Sequence, residues 1–307
     1  MATKLLRLNM KGTHLIIFIV ALILLSSFVL YAFYTLLIPY KQAMLRNVIL
    51  RDITYRTVDN ITLKMDFYFP NATDSKPYPV VVYVHGGGWR EGSKDAGVGF
   101  IDFPALRANG YLVVSIDYRL APTYKFPTYI EDIKCAIRYL RENADKYNID
   151  TTHIGAFGDS AGGHLVALLG LCGKDLGWDT GQYLDQSSEV QAVVDYYGPT
   201  NLTKYNPNIK IFKEAFGSTE ALRAASPVAY ASKNCPPFLI VQGNKDLTVY
   251  KEQSIELYNK LTSVDAQAAL VIVENADHGF RPFGGEINPS REEITRIVVE
   301  FFNKHLK

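Results

Sequence analysis

YPVVVYVHGGG, residues 78–88, is apolar at nearly every position up to His85. A strand with one face in water alternates apolar and polar side chains. A strand apolar throughout has no wet face and must be covered by helices on both sides. The pattern recurs in YLVVSIDYR (111–119), HIGAFGDS (153–160), VQAVVDYYG (190–198), PFLIVQGN (237–244) and AALVIVE (268–274). Helical stretches separate or follow these runs. They are Tyr129–Tyr147, with Ile130, Ile133, Ile137 and Leu140 on one face, AGGHLVALLGL (161–171), Lys251–Leu261 and Arg291–His305. Strands alternating with helices specify the α/β class: a mostly parallel central sheet with helices on both faces. Ahead of them, VILRDITYRT (48–57) and TLKMDFYFP (62–70) alternate and predict an antiparallel pair. Two polar, broken stretches with aromatics, Gly173–Ser188 and Asn201–Lys233, are expected to lie over the active end of the sheet.

The N-terminal segment follows a different rule. Gly12 to Tyr40 holds no Asp, Glu, Lys or Arg, and Leu15–Pro39 is almost wholly apolar. As a helix this run spans roughly 37 Å, against a hydrocarbon core of about 30 Å. It is too long for the apolar core of a signal peptide, and Leu30-Tyr31-Ala32 is a poor cleavage site. The reading is a tail at 1–13, a single transmembrane anchor at 14–40, a linker at 41–47 and a catalytic domain at 48–307. Lys4, Arg7 and Lys11 precede the span, and Lys41, Arg46 and Arg51 follow it. The trio at the chain start favours a cytoplasmic N-terminus with the catalytic domain on the extracytoplasmic side.

A formal charge of +1 gives no electrostatic case for a nucleic-acid partner. Cys135, Cys172 and Cys235 are too few and too scattered for a disulfide framework or a metal site.

Chemistry concentrates in GAFGDSAGGHL, residues 155–165. Gly158-Asp159-Ser160-Ala161-Gly162 has the form G-x-S-x-G where a strand turns into a helix, the context of a nucleophile elbow. Small neighbours let strand and helix approach closely, and the positive helix end favours a developing anion. HGGGW, residues 85–89, directly follows a buried strand. Glycines there let backbone N–H groups reach the oxygen that becomes negative when a carbonyl is attacked. Gly87 and Gly88 are the expected donors, with Gly86 shaping the loop and the N–H of Ala161 as a third.

A serine hydroxyl needs a base. His14 lies at the membrane edge, His85 in the glycine loop, His153 at a strand start, His164 in the helix after the serine, and His305 near the C-terminus. His278, in ENADHGF just after the last apolar strand, is the remaining candidate. Asp246, at the end of PFLIVQGNK, is the expected acid, giving the order Ser…Asp…His. Asp195, ending VQAVVD, is the runner-up; Asp277 adjoins the base, and Asp159 suits a structural role within the elbow. Tyr118, Tyr124, Trp178, Tyr197 and Phe216 could line a pocket, although packing explains aromatics at such positions equally well.

VVYVHGGGW, VVSIDYRLAP, FPTYIEDIKCAIRYLREN, HIGAFGDSAGGHL, PPFLIVQGNKD and DHGF, in order from about residue 79 to 280, together resemble the α/β-hydrolase superfamily. The resemblance is to its hormone-sensitive-lipase-like, acetyl-esterase branch. It implies carboxylic ester hydrolysis through an acyl-enzyme, with no metal or organic cofactor. Ser160 would be the nucleophile, His278 the base and Asp246 the acid, with Gly87, Gly88 and Ala161 as the oxyanion hole. The expected partners are a small-molecule ester and the membrane. GNKD stands where GDKD is commoner, and a membrane anchor is not typical of the branch. The rivals are a serine peptidase or amidase on the same fold, and a recognition module that has lost its chemistry. HGGGW argues against the first, and the three triad positions, all present, argue against the second.

Overall fold

The computed structural model of the chain describes residues 49–70, 77–99 and 102–307. The anchor at 14–40 and the linker at 41–47 lie outside the described residues. Among those described, no helix is long and apolar enough to cross a membrane.

Eight strands form one sheet: β1 (Ile49–Val58), β2 (Ile61–Tyr68), β3 (Tyr78–Val84), β4 (Leu112–Ile116), β5 (Ile149–Asp159), β6 (Ala192–Tyr196), β7 (Phe238–Gly243) and β8 (Ala268–Val273). Their order is β1-β2-β4-β3-β5-β6-β7-β8. β1 pairs antiparallel with β2, and β2 antiparallel with β4, as the alternating opening strands predict. Every later pairing, from β4 to β8, is parallel. β3, β4 and β6, read as strands without a wet face, are almost entirely buried.

Among the described residues the α-helices are α1 (Asp102–Ala108), α2 (Thr128–Glu142), α3 (Ala144–Tyr147), α4 (Ala161–Leu171), α5 (Lys210–Ala215), α6 (Thr219–Ala224), α7 (Glu252–Ser263) and α8 (Arg291–Leu306). Gly170 of α4 lies against Val193 and Phe238 of the sheet, while Gly155 of β5 lies against Phe302 and Leu306 of α8. α8 opens with a capping box, Ser290 and Glu293 bonding each other's backbone N–H.

Two expectations are corrected. The helix read as Tyr129–Tyr147 is broken at Asn143, whose side chain donates to the Tyr139 carbonyl at 3.0 Å. Asparagine offers the backbone an alternative partner, and the short α3 then ends on Asn148 at φ 55°. The two polar excursions also differ. Asn201–Lys233 carries α5 and α6 over the C-terminal edge of the sheet, whereas Gly173–Ser188 is strapped to the flank of α2. There Asp179 takes Lys134 at 2.8 Å and Arg138 at 2.6 Å, and both cations are buried. Lys134, Arg138 and Arg141, along one helix flank, hold this segment away from the sheet edge; Arg141 donates to the Ser187 carbonyl at 2.7 Å. Helix α1 was not anticipated: seven residues, DFPALRA, are too few to show a helical period.

Candidate active site

Four parallel strands deliver the site at their C-terminal ends, where open α/β sheets hold their ligands. β5 runs into Ser160, β3 into the glycine loop, β7 into Asp246 and β8 into the loop of His278.

Ser160 has φ 53° and ψ −116°, outside the regions open to an ordinary residue. Its N–H donates to the Tyr196 carbonyl at 2.8 Å, and its carbonyl accepts the His164 N–H at 3.0 Å. The flanking glycines are explained by backbone contact. A Cβ on Gly158 would sit 2.6 Å from the Gly162 carbonyl oxygen, and one on Gly162 would sit 2.0 Å from that of Val84. Strand β3, strand β5 and helix α4 meet there without room for a methyl group.

His278 Nδ1 lies 2.7 Å from Asp246 Oδ2, and its Nε2 lies 3.0 Å from Ser160 Oγ. With Nδ1–H donated to a carboxylate, Nε2 keeps a lone pair for the serine proton. Asp246 is buried, and its Oδ1 accepts the backbone N–H of Thr248 at 2.8 Å and of Val249 at 2.9 Å. Asp195, the alternative acid, does not reach the histidine. Its Oδ1 accepts the Gly198 N–H at 2.8 Å, and full burial pushes its carboxyl up to about 7. Asp277 pairs with Arg281 at 2.9 Å. Asp159 takes the Tyr83 hydroxyl at 2.7 Å and the Gly86 N–H at 3.0 Å; burial raises its carboxyl too.

Gly87, Gly88 and Ala161 line the same cleft as Ser160 and His278. Gly87 has φ 112°, and a Cβ there would meet the Glu91 carbonyl oxygen at 2.1 Å, so only glycine fits. Gly86 spends its N–H on Asp159, as a shaping residue would. Ala161 opens α4, so its N–H has no acceptor within the helix.

The cleft has a volume of about 760 Å³. One wall is Tyr205, Ile209, Ile211 and Phe212 from the excursion over the sheet edge; Leu247, Val249 and Tyr250 face it from the loop after β7. Of the five aromatics singled out in the sequence, Tyr197 lines the cleft, its ring 4.6 Å from that of His278. The others pack elsewhere: Tyr118 on His85, Tyr124 under Arg119, Trp178 on Phe126 and Phe216 on Trp89.

Sequence reasoning missed Gln242. Its amide nitrogen lies 3.0 Å from Asp246 Oδ2, and its oxygen accepts the Ser254 hydroxyl at 2.9 Å. The available signal was a polar residue inside an otherwise apolar, doubly covered strand, because a buried amide must find partners.

The sequence profile of the family described as BD-FAE matches residues 65–261, more than half of the chain. The chain belongs to the BD-FAE family. Esterase LipC of Mycobacterium tuberculosis is 34% identical over 67% of this chain and 54% of its own length. The chain thus spans about half the length of the curated mycobacterial relatives it matches. Among solved structures, a truncated form of a carbohydrate esterase from gut microbiota aligns at TM-score 0.72 and 26% identity, over 84% of this chain and 96% of that one. A butyrate-bound thermophilic esterase of the Planctomycetes species Thermogutta terrifontis aligns at TM-score 0.71 and 27% identity, over 82% and 92%. The eight-stranded sheet of this BD-FAE member is therefore that of an α/β hydrolase with esterases as relatives.

Proposed function

We propose that this protein is a membrane-anchored serine hydrolase of carboxylic esters carrying acetyl or other short acyl groups. The observation that carries the reading is the unbroken hydrogen-bonded chain from Ser160 through His278 to Asp246, opening on a cleft lined by Gly87, Gly88 and Ala161. The relatives named as esterases support it, as does the butyrate-bound neighbour for acyl length.

In this mechanism His278 Nε2 takes the Ser160 proton as Oγ attacks the ester carbonyl. The carbonyl oxygen becomes negative between the N–H groups of Gly87, Gly88 and Ala161. Asp246 holds the imidazole tautomer and balances the imidazolium. Collapse of the intermediate expels the alcohol, which leaves with the proton from His278. Water, deprotonated by the same histidine, then hydrolyses the acyl-enzyme and restores Ser160. The apolar run of residues 15–39 supports a single-pass anchor, and Lys4, Arg7 and Lys11 ahead of it support a catalytic domain outside the cytoplasm.

Ser160→Ala tests the reading. Turnover of p-nitrophenyl acetate should fall by about 10⁶-fold. A variant within tenfold of the wild type would show that Ser160 is not the nucleophile. A series of acyl esters of rising chain length then defines the acyl group that the cleft accepts.

A further inference from the structure

We propose that His164 is a positioning residue that registers the oxyanion loop to the nucleophile through Trp89; this rests on the esterase reading. Gly87 and Gly88 lie between two fastenings. On one side, the Gly86 N–H is held 3.0 Å from Asp159, the residue before the nucleophile. On the other, the Trp89 indole N–H donates to His164 Nδ1 at 3.1 Å. His164 lies one helical turn after the nucleophile, and its own N–H holds the Ser160 carbonyl at 3.0 Å. Both ends of the donor loop are therefore tied to the segment that carries the attacking hydroxyl.

Trp89 needs such a tie. It has φ 60°, a left-handed conformation that costs any residue but glycine. Strain of this kind persists where surrounding contacts over-determine it. Here those contacts are the bond to His164, the Phe216 ring edge-on at 4.9 Å, and the Trp89 carbonyl accepting the Ala121 N–H at 2.8 Å. Relaxation at Trp89 would turn the peptide unit it shares with Gly88 and swing the loop's donors.

The second nitrogen of His164 is spent differently. Nε2 lies 2.6 Å from the carbonyl oxygen of Ala225, directly after α6 in the segment over the cleft. A carbonyl only accepts, so the proton sits on Nε2 and Nδ1 is free to accept from the indole. Full burial holds the ring neutral, down to about 4, which keeps that acceptor available. One ring thus carries two separable bonds, to the oxyanion loop and to the covering segment.

Two substitutions split them. In His164→Asn the amide oxygen falls near the Nδ1 position and keeps the bond to Trp89, but loses Ala225. In His164→Gln the longer amide reaches Ala225 and leaves the indole unpaired. Each variant forfeits one buried hydrogen bond, so their melting temperatures should drop by similar amounts. With p-nitrophenyl acetate, kcat should fall roughly 10- to 100-fold in His164→Gln, the cost of a misplaced reacting group, and stay within about threefold of wild type in His164→Asn. Trp89→Phe should reproduce the kcat of His164→Gln, and combining the two should add no further loss. Equal kcat losses in the Asn and Gln variants, or losses that track melting temperature alone, would overturn the assignment. A wild type that neither turns over esters nor reacts with a fluorophosphonate would sink the esterase reading itself, and the role of His164 with it.

Discussion

At the scale of single residues, the glycines around Ser160 differ in what they guard. A methyl on Gly162 meets the Val84 backbone carbonyl oxygen at 2.0 Å, and backbone cannot step aside. Gly162→Ala should cost about 3 kcal/mol or more, read by denaturant unfolding. A methyl on Gly88 meets only the end of the Ile211 side chain, at 2.6 Å, at φ 58°. Gly88→Ala should cost roughly 1–2 kcal/mol, the price of a left-handed alanine, and show its larger effect in kcat. Asp246→Asn keeps the size of the acid and removes its charge; kcat should fall about 10⁴-fold. Asp195 supplies a pH test. Its folded carboxyl is raised from 3.8 to about 7, so the stability it contributes is complete below 3.8 and lost as pH rises through 7. Asp195→Asn should therefore gain on the wild type in melting temperature between pH 4 and pH 8. A constant difference across that range would show that the carboxyl is ionised throughout. His278 and Asp246, which meet at 2.7 Å, could be named as candidates at this scale because strand ends and chain order narrow the choice. Gln242 and the Trp89–His164 pair were not, because their partners come from other elements.

At the scale of elements, the inner strands were legible because burial on both faces leaves little freedom in composition; β8, equally apolar, lies instead at the edge of the sheet and buries only Val273. Helix boundaries were less so: α2 stops at an asparagine that bonds its own backbone, and α1 is too short to declare a period. The excursions were legible as excursions but not in destination. Gly173–Ser188 went to the flank because Lys134 and Arg138, buried along α2, needed Asp179. Removing that carboxylate strands two buried cations. Asp179→Ala should lose about 3 kcal/mol or more of stability. That is roughly 6–12 °C in melting temperature. Ester turnover at 25 °C should hold within about threefold, because no residue of this segment lines the cleft. A selective loss of turnover would place the segment in the site after all.

At the scale of the whole molecule, the proposed anchor makes a topological prediction. Full-length protein should fractionate with membranes, and protease added to intact cells should digest the catalytic domain. Protection of that domain would reverse the orientation inferred from Lys4, Arg7 and Lys11. Class of fold, strand inventory and the candidate nucleophile and base were legible in the sequence alone, because local patterns carry them: apolar runs, a serine at a strand–helix junction, glycines where backbone must approach, a histidine in the loop after the last apolar strand. Tertiary structure alone decided which carboxylate meets the imidazole, which excursion walls the cleft, and that Gln242 reaches Asp246 and His164 reaches Trp89. Such contacts join residues far apart along the chain, and their geometry exists only once strands β3, β5, β7 and β8 lie side by side.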